Sequence, residues 1–328
     1  MRNYLIRRTL QLIPVFLGAI LISFIILSLV SDPFAAMMEN PKIRREDIEA
    51  LRNAWGFNLP IYLRFFKWLG SVFQGKWGPS LLYPGYLAKE VILRSIPITL
   101  QVMGLSLVLS IFVAIPLGII SAVRQYSRLD YGLTVFSFFG MSMPTFWFGL
   151  MMMIVFSVWL KRPSGLPLLP PGSIQTPGIE STALIPRILD RVQYLIMPVI
   201  VLAMNSVGYW VRYQRSFMLE VLHQDYLRTA RAKGLKERKV IYKHALRNAL
   251  IPIITLIALT IPGIISGAAI TEYVFNIPGM GQLLLQSEIK NDYPTAMLIL
   301  ILFTSLVIIS NLIADIVYSL VDPRIRYT

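Results

Sequence analysis

"SIPITLQVMGLSLVLSIFVAIPLGIISAV", from Ser95 to Val123, runs without one Asp, Glu, Lys or Arg. A helix needs about 20 apolar residues to cross roughly 30 Å of hydrocarbon, and this stretch is longer than that. It predicts a transmembrane helix. Working outward, five more charge-free windows appear: Thr9 to Ser31, Tyr131 to Leu160, Val192 to Val211, Asn248 to Thr271 and Tyr293 to Ala314. Pro198, Asn205, Gly208 and Tyr209 dilute the fourth span, Val192 to Val211, but Arg191 and Arg212 bracket it at the right separation. The expected fold class is an all-α integral membrane protein, a bundle of six transmembrane helices forming a single domain over residues 1–328.

Composition agrees with this class. Apolar residues make up 55% of the chain, charged residues only 15%, and the mean hydropathy is +0.63. An ordinary soluble domain carries about 25% charge. The net charge of +14 is therefore read by location, since basic residues orient membrane loops and need not imply nucleic acid. There is no cysteine, which removes disulfides, thiolate metal sites and cysteine nucleophiles together. Arg2, Arg7 and Arg8 precede the first apolar run, which is too long for a signal peptide and lacks a clean cleavage site, so an uncleaved anchor is expected. Lys and Arg concentrate at the N-terminus, in Arg124 to Asp130, in Arg212 to Arg247 and in the C-terminal tail. These segments, and both termini, are expected to face the cytoplasm. Asp32 to Arg94 then lies outside, with helically spaced apolar residues that predict short surface helices.

"GSVFQGKW", Gly70 to Trp77, imitates a phosphate-binding loop, but Trp77 stands where Ser or Thr would hold magnesium and no buried strand precedes it. No nucleotide site is expected there. The apolar windows contain no ionisable residue of the kind that marks proton or ion relays. Their polar groups are neutral: Gln101, Ser106, Ser110, Thr134, Ser142, Thr145, Asn205, Ser206, Thr255, Ser266 and Asn311. Such groups either line a path or tie helices together by hydrogen bonds. Pro116, Pro144, Pro198 and Pro262 are expected to kink their spans. In "GMSMPTFWFG", Gly140 to Gly149, a flexible, Met-rich and aromatic surface suits a gate, and close helix packing through small residues suits it equally. Ser142, Met143, Pro144 and Asn205 are the candidate path or gate residues.

Between the fourth and fifth windows lies "YLRTARAKGLKERKVIYKHALRNALIP", Tyr226 to Pro252. Leu222, Tyr226, Leu227 and Ala230 predict one face of a helix over Leu222 to Lys233, which Gly234 ends by supplying a left-handed residue. A second helix is expected from near Glu237, with Val240, Ile241, Ala245 and Leu246 inward. His223 and His244 have no partner at metal spacing. The result is a bent, basic knuckle. It could lie on anionic headgroups, but small residues at Ala230, Ala232 and Gly234 suit close approach to a protein groove better.

"YLRTARAKG" followed by "HALRNALIP" resembles the EAA loop of bacterial ABC-importer permeases, in the form of the dipeptide/oligopeptide/nickel branch. Arg228, Thr229 and Ala230 stand in the Glu-Ala-Ala places, Gly234 keeps the glycine, and the proline of the general Leu-Pro pair is absent after Leu246. "RRTLQLIPVFLGAILISFIILSL", "RLDYGLTVFSFFGMSMPTFWFGL", "TEYVFNIPGMGQLLLQSEIKNDYP" and "DPRIR" resemble the same branch in order along the chain, and the whole is similar to its B-type inner-membrane subunits. This resemblance implies a translocation subunit of the bacterial or archaeal inner membrane, with a homologous sister permease, two cytoplasmic ATP-binding subunits, an extracytoplasmic solute-binding protein and membrane lipid as partners. It implies alternating access, no cofactor or metal on this chain, and ATP and magnesium on the ATPase subunits. Tyr226, Arg228, Thr229, Ala230, Gly234 and Leu235 would form the ATPase-coupling loop. Di- or oligopeptides are the implied solutes, with oligosaccharides or nickel chelates as alternatives. A stand-alone secondary transporter or channel is the alternative of another class.

Overall fold

Within hydrocarbon every backbone amide must find its partner inside the protein, and long apolar runs do so as helices. The computed structural model describes residues 2–30, 32–34, 38 and 44–321; "DPRIR" lies outside the described residues. Among the described residues the only extended pairings are isolated bridges, Pro79 with Leu87 and Lys161 with Pro167. The helices are α1 (Arg2–Val30), α2 (Arg45–Trp55), α3 (Ile61–Phe73), α4 (Ala88–Val123), α5 (Arg128–Ser142), α6 (Thr145–Met153, prolonged by a π segment Ile154–Trp159), α7 (Leu184–Leu222), α8 (Asp225–Ala232), α9 (Glu237–Ser266, containing a π segment Val240–Ala245), α10 (Ala269–Val274), α11 (Met280–Ile289) and α12 (Tyr293–Val321). Among the described residues five helices are long and apolar enough to cross a membrane, and there are six crossings if the bent α5–α6 pair is one span.

Three features depart from the sequence expectations. The window Tyr131 to Leu160 is two arms bent by 95°, because Met143, ahead of Pro144, is extended (φ −78°, ψ 121°), as the clash with a following proline ring favours. Pro198 lies inside the continuous α7 instead. That helix has 39 residues and runs roughly 58 Å at 1.5 Å per residue, nearly twice the hydrocarbon thickness. It absorbs Leu222, so the expected helix over Leu222 to Lys233 begins only at Asp225. Gln224 is the cause: its extended backbone (φ −74°, ψ 144°) breaks the chain direction, and Asp225 then opens the first turn of α8, where an acid is favourable.

The chain divides into two compact units. The first takes residues 1–98, 265–269 and 279–328. In it α1 packs on α12 through Ile20, Phe24, Leu27, Tyr293, Ala296 and Met297, with Phe65 of α3 in the same cluster. Asp292 is fully buried and caps α12. It accepts from the Thr295 amide at 3.2 Å, from Thr295 Oγ1 at 2.8 Å and from the Leu82 amide at 2.9 Å.

The second unit takes residues 99–264 and 270–278. Its helices approach closely through small residues. A Cβ on Gly208 of α7 would sit 2.4 Å from the Ser137 carbonyl oxygen of α5, and one on Gly140 of α5 would sit 2.8 Å from the Met204 carbonyl oxygen of α7. Only glycine allows these backbones to touch. Ala114, Val207, Trp210, Val211 and Ile253 form one apolar core of this unit, and the root of the knuckle forms another.

Candidate functional site

The knuckle is α8, the turn after it and the first turns of α9. Its root is apolar. Leu227 and Ala230 of α8 and Val240, Ile241 and Ala245 of α9 are buried against Ile119 and Ala122 of α4 and Met218 of α7. Leu227, fully buried, contributes about 1.5–3 kcal/mol of hydrophobic burial, enough to seat a helix of only 8 residues that would not persist alone.

The turn follows from the sequence. The Leu235 amide donates to the Ala230 carbonyl (3.4 Å) and the Gly234 amide to the Arg231 carbonyl (2.9 Å), the paired bonds of a Schellman ending. Gly234 has φ +74°, which a residue with a β-carbon adopts only with strain. Arg231 and Glu237 span the turn with hydrogen bonds of 3.2 and 3.0 Å. The side-chain hydrogen bond from Arg231 holds the Glu237 carboxyl below its usual range and raises the Arg231 guanidinium in turn.

The expected coupling residues divide between two faces. Ala230 is buried and Leu235 packs on the root cluster, while Tyr226, Arg228, Thr229 and Gly234 are exposed. Tyr226 belonged to the expected inward stripe, but its hydroxyl points out and accepts from Asn248 Nδ2 at 2.7 Å. Thr229 Oγ1 donates to the Asp225 carbonyl at 3.1 Å. Beside Gly234 opens a basic concavity of about 790 Å³, lined by Leu235, Lys236, Arg238, Lys239 and Tyr242 among others. A Cβ built on Gly234 meets no atom within 4 Å. The exposed face is thus cationic, open and narrow in side-chain bulk at the turn.

α4, α5 and α7 also carry a polar cluster that charge-free windows and motif spacing do not reveal. Asp130, at the start of α5, is buried and accepts from Arg215 of α7 through both oxygens (Nε to Oδ1 and NH2 to Oδ2, each 2.9 Å). Ser121 Oγ of α4 and the Tyr126 amide also donate to it, the latter at 3.0 Å. One carboxylate therefore ties α5 to α4 and α7, the two helices that hold the knuckle root, in the bidentate geometry that favours arginine. Glu272 of α10 is a second fully buried acid, accepting from Thr99 Oγ1 at 3.0 Å. Both acids fall one residue outside a charge-free window, and pairs this far apart in sequence leave no local pattern.

Ser142, Met143 and Pro144 occupy the 95° bend, with Ser142 and Pro144 exposed and Met143 half-buried. Asn205 is half-buried on α7, next to Met204, whose carbonyl meets Gly140 of α5. The structure thus brings the Gly140 turn near the residue preceding Asn205. Among the described residues no group of three His, Asp or Glu side chains is placed to hold a metal ion.

Comparison with known proteins bears on these features. A family model described as "Binding-protein-dependent transport system inner membrane component" matches residues 114–327, and a model for the N-terminal part of such membrane components matches residues 1–81. The chain is similar to the oligopeptide transport system permease protein AppB of Bacillus subtilis, 44% identical over 328 residues and 100% of both chains. It is 35% identical to the di/tripeptide transport system permease protein DppB of Pseudomonas aeruginosa, over 100% of this chain and 99% of that one. It is 33% identical over 100% of both chains to the oligopeptide transport system permease protein OppB of Haemophilus influenzae.

Proposed function

Because the chain belongs to the family of binding-protein-dependent transport system inner membrane components, we propose that it forms the translocation path for di- or oligopeptides in an ATP-driven importer, with a homologous sister permease. Two cytoplasmic ATP-binding subunits engage its knuckle, and an extracytoplasmic binding protein delivers the solute. Both termini and the knuckle face the cytoplasm, and Asp32 to Arg94 lies outside. The relatives, oligopeptide and di/tripeptide transport permeases by name, support peptides as the solute class.

The observation that carries this reading is the division of the knuckle. Its apolar root is fixed to α4 and α7, while Arg228, Thr229 and the open Gly234 turn are exposed to a partner. A rigid root transmits displacement. ATP-driven approach of two ATPase subunits would move the two knuckles of a permease pair, and the helices tied by Asp130, Ser121 and Arg215 would follow as a body. The bend at Met143 and Pro144 is placed to absorb such a movement, and Ser142, Met143, Pro144 and Asn205 are the proposed path residues. ATP and magnesium belong to the partner subunits.

The chain has no cysteine, so a single one at Thr229 reports on this surface alone. Thr229→Cys should cross-link to an ATPase subunit in membranes, with a yield that changes when ATP is added. A Gly75→Cys variant should react with an impermeant thiol reagent from the extracytoplasmic side only. Cross-linking to lipid alone, or labelling of Gly75→Cys from the cytoplasm, would refute the assignment or the orientation respectively.

A further inference from the structure

Arg64 is the anomaly of the first unit. It lies on α3, an amphipathic helix, yet it turns inward and is only 9% exposed. Its guanidinium carbon lies over the rings of Phe57 (4.4 Å to the centroid) and Phe24 (5.4 Å). The ring faces attract the cation but supply neither a counter-charge nor a carboxylate or phosphate acceptor. Nε is buried without a hydrogen-bond partner, and Arg64 makes no ion pair among the described residues.

Arg64 lines a cavity of about 250 Å³ with Lys67, Lys76, Trp68, Trp77 and Tyr293. Among the described residues the lining holds three cationic side chains and no acidic one. Lys67 Nζ reaches the Ala54 carbonyl at 3.0 Å, a neutral partner that leaves its charge uncompensated. Burying a guanidinium without a counter-charge is costly, so an anion completes this site. A guanidinium whose buried Nε lacks a partner fits a planar or tetrahedral oxyanion, which arginine binds bidentately.

Position narrows the ligand. Phe24 lies near the end of the apolar run of α1 and Tyr293 opens that of α12, so the cavity sits at one membrane boundary. Tyr62, Leu63, Phe66 and Phe73 of α3 are exposed large apolar side chains, which water disfavours and acyl chains accept. Trp55, Trp68 and Trp77 line the same cavity, the residue type that settles at headgroup depth. We propose that Arg64, with Lys67 and Lys76, binds the phosphodiester of an anionic phospholipid such as phosphatidylglycerol, in the outer leaflet on the orientation given above. Three cations and no acid among the described lining residues disfavour the ammonium of a zwitterionic headgroup.

The test measures phosphatidylglycerol retained by the purified full-length chain in mild detergent, by native mass spectrometry, with lipid-induced thermal stabilisation as a second readout. Arg64→Met keeps the bulk and removes the charge, and should weaken binding about tenfold or more. Lys290→Gln, outside the cavity, should leave it unchanged. Phosphatidylcholine should bind more weakly than phosphatidylglycerol, and millimolar inorganic phosphate should fail to displace the lipid. If Arg64→Met does not yield folded protein, Lys76→Gln decides, with a weakening of about threefold expected. Unchanged binding in the cavity variants, equal affinity for both lipids, or displacement by inorganic phosphate would each overturn the proposal.

Discussion

Replacing Gly234 with valine separates strain within the chain from the demands of a partner. With φ at +74°, any residue with a β-carbon costs about 1–2 kcal/mol, and a β-branched one lies at the upper end. The new side chain projects into open space, since a Cβ at this position meets nothing within 4 Å. No internal clash adds to the backbone cost. Against a stability of about 5–15 kcal/mol for a typical domain, this loss leaves the protein folded and inserted. Transport depends on whether that open space is filled in the working complex. On the coupling account an ATPase groove fills it, so Gly234→Val should reach the membrane at normal levels yet lose peptide uptake, with ATPase subunits no longer co-purifying or no longer stimulated by loaded binding protein. Gly234→Ala carries nearly the same backbone strain with less bulk and should retain part of the uptake. Normal transport by Gly234→Val, together with failure of a variant whose charges at Arg231, Lys233 and Lys236 are reversed, would assign the knuckle to a headgroup contact instead.

Other perturbations test the framework. Gly208→Val should abolish stable folding, because its Cβ would lie 2.4 Å from a backbone oxygen of α5 that has no room to retreat; recovery of protein with an unshifted thermal midpoint would contradict this packing. Asp130→Asn should cost about 2–3 kcal/mol, less than a fully buried pair because Arg215 retains 28% side-chain exposure; Arg215→Met should cost more, leaving the 4% exposed carboxylate unpaired, and thermal unfolding of the two variants decides the order. Glu237 has a lowered folded-state pKa, so its bond to Arg231 stabilises the turn above the ordinary carboxylate value of 4.5 and is lost as pH falls through the lower folded value. The difference in thermal midpoint between wild type and Glu237→Gln should be present at neutral pH and vanish in acid; a difference that grows on acidification would contradict the sign.

Charge-free windows located the membrane helices because ionised side chains are expensive in hydrocarbon, and for the same reason they understated the helices that leave it. Lys89, Glu90 and Arg94 belong to α4 but lie before its apolar run, and α7 continues through Arg212 and Arg215 to Leu222. Proline marked both a real break and a continuous helix. Met143 before Pro144 turns extended, whereas Met197 before Pro198 stays helical, and only packing distinguishes the two. In the knuckle the pattern was legible where it was local: Gly234, the buried Leu227 and Ala230, and the inward Val240, Ile241 and Ala245. Tyr226 departed from it because a hydroxyl that finds Asn248 gains more at the surface than a phenol pressed into an apolar root. The Asp130–Arg215 pair and the buried Arg64 depend on contacts across many residues, to which spacing along the chain gives no access.

Peptide should pass through this chain only when ATP is hydrolysed by subunits docked on its knuckle. The most direct measurement is uptake of a labelled oligopeptide into proteoliposomes containing this chain, its sister permease and the ATPase subunits, with loaded binding protein outside and ATP inside. Uptake should require ATP and binding protein together, and Gly234→Val should abolish it. Uptake by this chain alone, driven by a proton or sodium gradient without ATP, would contradict this dependence.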